Sequence, residues 1–159
     1  LVVRVHPEIL ERQHLPPELV GRSIWKQRYK EMRGFEEYLT GNGIAIRKFF
    51  LHVSRGEQRK RFLERIEDQS KNWKFSAADA LERRHWRQYM DAYEETIRET
   101  ATDDSPWYVV PANNKWFTRV IVAAAVIEAL ASLNLHYPKV SAAKKKELEL
   151  ARKLLVESK

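Results

Sequence analysis

The chain of 159 residues contains no cysteine at all. That excludes a disulfide scaffold, a thiol nucleophile and any cysteine-ligated zinc or iron–sulfur site. Glycine and proline are scarce, at 5 and 6 residues, which excludes collagenous and low-complexity chains. No apolar run is long enough to span a bilayer. The nearest, Val120 to Leu133, is too short and is interrupted by Glu128. Several chemical signatures are also missing. There is no G-x-x-x-x-G-K-[ST], G-x-G-x-x-G, G-x-S-x-G or H-E-x-x-H, and the five histidines show no metal-ligand spacing. No serine is placed so that it reads as a nucleophile. No complete active site is legible in this chain.

What is present is a core's worth of apolar residues, 43%, and an excess of positive charge. Lys and Arg number 29 against 22 Asp and Glu, a net charge of +7 with a pI near 9.7. Such a balance suits an anionic partner. The charge is unevenly spread. Residues 55–87 hold ten Lys/Arg against six acids, and residues 88–105 hold one Arg against six. A basic segment is thus followed at once by an acidic one.

The apolar start Leu1-Val-Val-Arg-Val reads as the middle of an element, so further chain is expected before it. Pro7 to Gln13 suits a brief helix or loop, punctuated by Pro16-Pro17. From Arg22 to Thr40, Trp25, Tyr29, Met32, Phe35 and Leu39 recur at helical steps, and Gly41-Asn42-Gly43 ends the pattern. Ile44 to Val53 reads as a strand apolar on both faces, hence one covered on both sides in a parallel sheet. Ser54 and Glu57 form a capping box for a helix over 55–67. A polar loop, 68–75, follows. Ser76 then caps one long helix to Thr100, with Trp86, Met90, Tyr93 and Ile97 on a stripe and Tyr89 beside it. Trp107 to Val110 is a short strand, and Asn113 or Asn114 caps a helix from Lys115 to Ser132. That helix is apolar nearly all round and is expected to be mostly buried against a sheet. The tail, 141–159, is a charged helix. The order of elements is α/β, yet two strands are too few for a doubly wound sheet, so more are expected from elsewhere.

The basic segment carries the chemistry. Arg55 and Arg59 lie four apart, as do Arg61 and Arg65, so each pair shares a helix face on which two guanidiniums can meet one phosphate. The plainer reading is a solvated face paired with Glu57, Glu64 and Glu67. Lys71-Asn-Trp-Lys74 sets lysines beside an aromatic, where a nucleobase could stack. Taken alone, Trp73 reads more readily as a hydrophobic plug between helices. Arg83, Arg84 and Arg87 would line the inner side of a helical hairpin, the geometry of a mobile lid.

Four passages occur in order: Q-R-K-R-F-L-E-R-I (58–66), W-K-F-S-x-x-D (73–79), W-x-x-Y-x-x-A-Y-E (86–94) and P-W-Y-V-V-P-A-x-x-K-W (106–116). With them residues 1–138 resemble the C-terminal half of the family-2 polyphosphate kinases, and LVVRVHP resembles the passage after that family's Walker B element. The resemblance implies a P-loop kinase-like parallel sheet with helices on both faces and a helical lid at about 55–104, of which this chain is an incomplete part. It implies a kinase domain over 1–138 and a charged helical tail over 139–159. It further implies phosphoryl transfer between inorganic polyphosphate and AMP or ADP, giving ADP or ATP, with Mg²⁺. The Walker A and Walker B residues would precede residue 1, so the chain alone is expected to be inactive and to hold no catalytic or metal-ligating residue. By the same resemblance Arg59, Arg61 and Arg65 belong to the lid's phosphate-contacting helix, and Lys74 and Asp79 to the loop that opens its second arm. A cytoplasmic homo-oligomer without membrane or specific nucleic-acid partners is the accompanying expectation. The alternative from another class is a non-catalytic basic module binding polyphosphate or nucleic acid, against which stand the acidic run 91–104 and the lack of any nucleic-acid-binding motif. A third reading is a stand-alone half that assembles with a separate P-loop chain.

Overall fold

The computed structural model describes residues 1–21 and 23–157. Its elements are α1 (Val2–Val5), α2 (Glu8–Glu11), α3 (Ile24–Gly41), β1 (Lys48–His52), α4 (Arg55–Glu67), α5 (Ala77–Glu82), α6 (Trp86–Thr100), β2 (Trp107–Pro111), α7 (Lys115–Ser132) and α8 (Ala142–Glu157). The chain forms two compact units, Leu1–Ala129 and Leu130–Lys159, the second holding the last turn of α7 and α8. The fold is mixed α/β, and its two strands pair in parallel, Lys48 opposite Trp107 through His52 opposite Pro111.

Helix α3 stops where the sequence says it should. Gly43 adopts φ +82°, and its amide and that of Ile44 return to the carbonyls of Thr40 and Leu39 at 2.9 and 3.1 Å. The strand after it is shorter than Ile44–Val53. A parallel ladder lasts only as long as its partner, and β2 offers five residues. Single bonds extend it at each end, from the Lys48 amide to Pro106 O (3.0 Å) and from the Ala112 amide to His52 O (2.8 Å).

Alternation puts Lys48, Phe50 and Trp107 on one face of the sheet. There Phe50 packs on Tyr93 of α6 with centroids 4.4 Å apart. A buried polar network lies behind it. The Lys48 ammonium meets the Glu36 carboxylate of α3 at 2.6 Å and the carbonyl of Thr100 at 2.7 Å. The Ser105 hydroxyl donates to the same carboxylate at 2.7 Å, and the Trp107 indole donates to Thr100 Oγ1 at 2.9 Å. Arg4 joins α1 to α6 through Glu95 (2.6 Å) and lies over the Trp25 ring of α3. On the other face Phe49 stacks on Tyr108, and Val110 is fully buried.

Two expectations fail. The segment 76–100 is not one helix: a 3₁₀ turn at Arg83–His85 separates α5 from α6. A tighter turn changes the direction of the side chains, so the two pieces present different faces. Helix α7 is not mostly buried either. Only Thr118 and Ala125 are, while Trp116 and Ile127 are 64% and 66% exposed. Two five-residue strands form too small a sheet to cover an 18-residue helix, and Leu51 and Val109 of the strands also stand open. No helix among the described residues is long and apolar enough to cross a membrane.

Candidate phosphate-handling lid

Both parallel strands end at one place, where β1 runs into α4 and β2 into α7. The carboxyl ends of parallel strands are where open α/β sheets put their ligands. Ser54 caps α4, its Oγ accepting the Glu57 amide at 3.2 Å. The reciprocal half of the capping box is absent, because the Glu57 carboxylate is held by Arg61 at 2.8 Å and the Ser54 amide donates to Asn113 Oδ1 at 2.8 Å. The Asn113 amide returns to Ser54 Oγ at 3.1 Å. Asn113 therefore links the two strand exits, and Asn114 is the residue that immediately precedes α7.

Of the four arginines of α4, the three expected to contact phosphate, Arg59, Arg61 and Arg65, fall into two states. Arg61 is engaged through two of its three nitrogens: besides Nε on Glu57, its Nη2 donates to the carbonyls of Ala112 (2.7 Å) and Asn113 (3.0 Å). Arg59 and Arg65 have no ion pair or hydrogen bond among the described residues. Arg59 is exposed and Arg65 half-buried. The plainer reading of a salt-bridged face thus describes Arg61, and Lys60 with Glu64 at 3.9 Å, but neither of the other two arginines.

The loop after α4 is built on Asp68. Its carboxylate accepts from the Ser70 hydroxyl (2.6 Å) and amide (3.0 Å) and is paired with Lys71. These partners, Lys71 first, pull its pKa down to about 2. Trp73 donates its indole N–H to Ser70 O at 3.1 Å, and the Lys74 ammonium sits 4.9 Å from the ring centroid. Trp73 is 75% exposed, so it is no hydrophobic plug. It presents an open aromatic face with a cation beside it. The loop is joined to α4 by an edge-on contact of Phe75 with Phe62, 5.4 Å apart.

Asp79 lies at the start of α5, where its carboxylate accepts the Ser76 amide at 3.3 Å in a complete capping box. It also borders a cavity of about 270 Å³ between α4, α5 and α6, with Phe62, Trp86, Tyr89 and Met90 in its wall. Arg83 crosses beside this cavity to Gln58 Oε1 (2.8 Å) and the Arg55 carbonyl (3.2 Å), fastening the second arm to the first. Arg84 donates to Leu81 O of its own helix. Arg83 and Arg84 are therefore not free lid cations, a consequence of the 3₁₀ turn that carries them.

One cluster had no signal in sequence. Glu82 accepts from His6 Nε2 at 2.9 Å and from the Tyr89 hydroxyl at 3.0 Å, and His85 stands edge-on to His6 at 4.9 Å. The bond to Glu82 raises the His6 pKa and lowers that of Glu82, and burial pushes Tyr89 up to about 12. Residues 6 and 82 are too far apart in sequence for spacing to relate them. Among the described residues no group of three His, Asp or Glu could hold a metal ion.

The family model described as Polyphosphate kinase 2 (PPK2) matches residues 18–138. An ADP-polyphosphate phosphotransferase of Rhodopseudomonas palustris is 50% identical over 157 residues, covering 98% of this chain and 54% of that protein. An AMP/ADP-polyphosphate phosphotransferase of Meiothermus ruber is 44% identical over 128 residues, 80% of this chain and 48% of that protein. The crystal structure of polyphosphate kinase 2 from Arthrobacter aurescens superposes with a TM-score of 0.79 at 37% identity, over 95% of this chain and 50% of that one. The chain thus spans about half the length of these relatives.

Proposed function

The chain belongs to the polyphosphate kinase 2 family, and on that premise we propose that it supplies the lid and adjoining strands of a polyphosphate-dependent nucleotide kinase. The reaction is phosphoryl transfer between inorganic polyphosphate and AMP or ADP. The observation that carries this reading is a basic helix rooted at the carboxyl ends of two parallel strands, with the side chains of Arg59 and Arg65 left without partners among the described residues. Phosphoryl transfer depends on positioning and on neutralising charge spread over the phosphate oxygens. Arg65 and Arg59 would meet that charge, and Lys74 would add to it beside Trp73, whose open ring is a place for a base to stack. Asp79, whose carboxylate caps α5, acts by ordering the arm that follows the loop. The P-loop and the nucleotide's other contacts are assigned to the part of the protein outside this chain, so the chain alone is expected to be inactive.

Mg²⁺ is proposed to arrive with the substrate phosphates. The described residues contain no cluster that would hold it. A cytoplasmic homo-oligomer is proposed on the strength of the family alone.

The test is formation of ATP from ADP and polyphosphate, and of ADP from AMP, by the intact protein with Mg²⁺. Appearance of product supports the kinase. Saturable binding of polyphosphate without product would replace it by the non-catalytic basic module. Salt dependence of binding serves neither, because both readings predict it.

A further inference from the structure

We propose that Arg61 is a positioning residue: it fastens the root of α4 to the turn between β2 and α7 and so aims Arg65, one turn further along the same face. The proposal rests on the phosphate-handling lid just described and assigns the arginines of α4 different tasks. Arg61 and Arg65 are four residues apart and share a side of the helix, yet their surroundings differ. Arg61 Nη2 donates to two successive backbone carbonyls, of Ala112 and Asn113, while its Nε is held from its own helix by Glu57. A planar guanidinium suits this, since it offers several donors in fixed directions.

The acceptors need it as much as it needs them. Ala112 is buried, and a buried carbonyl left without a donor is costly. The neighbouring Pro111 carbonyl is already served by the Thr118 hydroxyl at 3.0 Å, so Arg61 completes an otherwise satisfied turn. To turn Nε and Nη2 to a phosphate it would have to release all three acceptors. The Arg65 side chain has none to release among the described residues. The Ser54–Asn113 pair ties the same two segments at the cap of α4. With Arg61 it makes two fastenings, about two turns of helix apart, and two fix a direction where one would leave a pivot.

The experiment compares Arg61→Gln, Arg61→Lys and Arg65→Gln in the intact protein by two readouts. The first is amide hydrogen exchange without any phosphate compound. Both Arg61 variants should speed exchange at least tenfold in the first two turns of α4 and at Asn114 and Lys115, and Arg65→Gln should not. The second is steady-state ATP formation from ADP and polyphosphate. The Arg61 variants should lower kcat about tenfold with KM for polyphosphate within threefold of wild type, and Arg65→Gln should raise that KM. Lysine keeps the charge but offers one nitrogen where Glu57 and the two carbonyls are served by two, so Arg61→Lys should not rescue. Wild-type exchange in Arg61→Gln together with a raised KM would make Arg61 a direct phosphate contact and overturn the proposal, as would full rescue by lysine. If Arg61→Gln does not fold, unchanged exchange in Arg61→Lys overturns it equally. If the wild type forms no ATP while the exchange difference holds, the kinase reading fails and the fastening stands.

Discussion

Replacing Lys48 by methionine tests whether the polar network between α3, β1 and α6 holds the sheet to its helices. The Lys48 side chain is 13% exposed and that of Glu36 17%, so both charges are largely withdrawn from water. Methionine keeps the length and apolar stem of lysine, which confines the change to the head group. Four interactions go with it: the ion pair at 2.6 Å, the bond to Thr100 O at 2.7 Å, a longer contact with Ser105 Oγ at 3.4 Å and the position of the ammonium 5.3 Å from the Trp107 ring centroid. Glu36 is left with the Ser105 hydroxyl. Removing one partner of a buried pair costs roughly 3–5 kcal/mol, because the survivor is a stranded charge. The remaining hydroxyl bond and residual exposure place this case near the lower end, about 3 kcal/mol. In a domain of this size that corresponds to a Tm lower by about 6–12 °C. The double variant Lys48→Met/Glu36→Leu removes the stranded charge and should recover most of the loss, leaving a coupling energy of about 2 kcal/mol. Urea denaturation of the four proteins of the cycle, followed by tryptophan fluorescence, measures it. A single variant within about 0.5 kcal/mol of wild type, or a double variant worse than the sum of the singles, would refute the reasoning.

Three further outcomes are expected. The His6–Glu82 contact should contribute to stability chiefly between the ordinary carboxylate and imidazole values of 4.5 and 6.5. The raised imidazole loses its proton as pH climbs through its folded value, and the lowered carboxylate gains one as pH falls through its own. The stability difference between wild type and His6→Gln should therefore peak near pH 5–6 and shrink above pH 7, and a flat difference from pH 5 to 8 would contradict the assignment. Trp73→Ala should leave stability within about 0.5 kcal/mol, since its ring lies in water, yet weaken nucleotide binding by about fivefold or more if a base stacks there. Equilibrium binding of ADP to both proteins decides this. Arg59→Gln and Arg65→Gln should each reduce kcat/KM for polyphosphate by about tenfold or more with unchanged Tm, because neither side chain holds the fold; loss of Tm without loss of activity would reverse that reading.

Local chemistry explains which features were legible in the chain. The periodic apolar residues of α3, the left-handed stop at Gly43, the Ser54 and Ser76 caps and the β-branched and aromatic strands all act within a few residues, and each is found where its pattern lies. So are the two parallel strands, because a strand apolar on both faces needs cover on both. The break at Arg83–His85 was not legible: nothing in L-E-R-R-H-W forbids a helix, and the turn is accompanied by contacts with residues far away, Arg83 with Gln58 and Glu82 with His6. The partial exposure of α7 was equally hidden, since apolarity states a demand for cover and not whether cover is present.

The sequence by itself determined the helix starts and stops apart from the break at Arg83–His85, the pairing type of the strands, the basic character of residues 55–87 and, through four ordered motifs, the family. These are properties of neighbours along the chain and of its side-chain inventory. Only the tertiary structure decided which arginine of α4 is fastened and which is open. Arg61 and Arg65 are alike in type and share a face, and what separates them is that the carbonyls of Ala112 and Asn113, about fifty residues away, come within hydrogen-bond reach of one and not of the other.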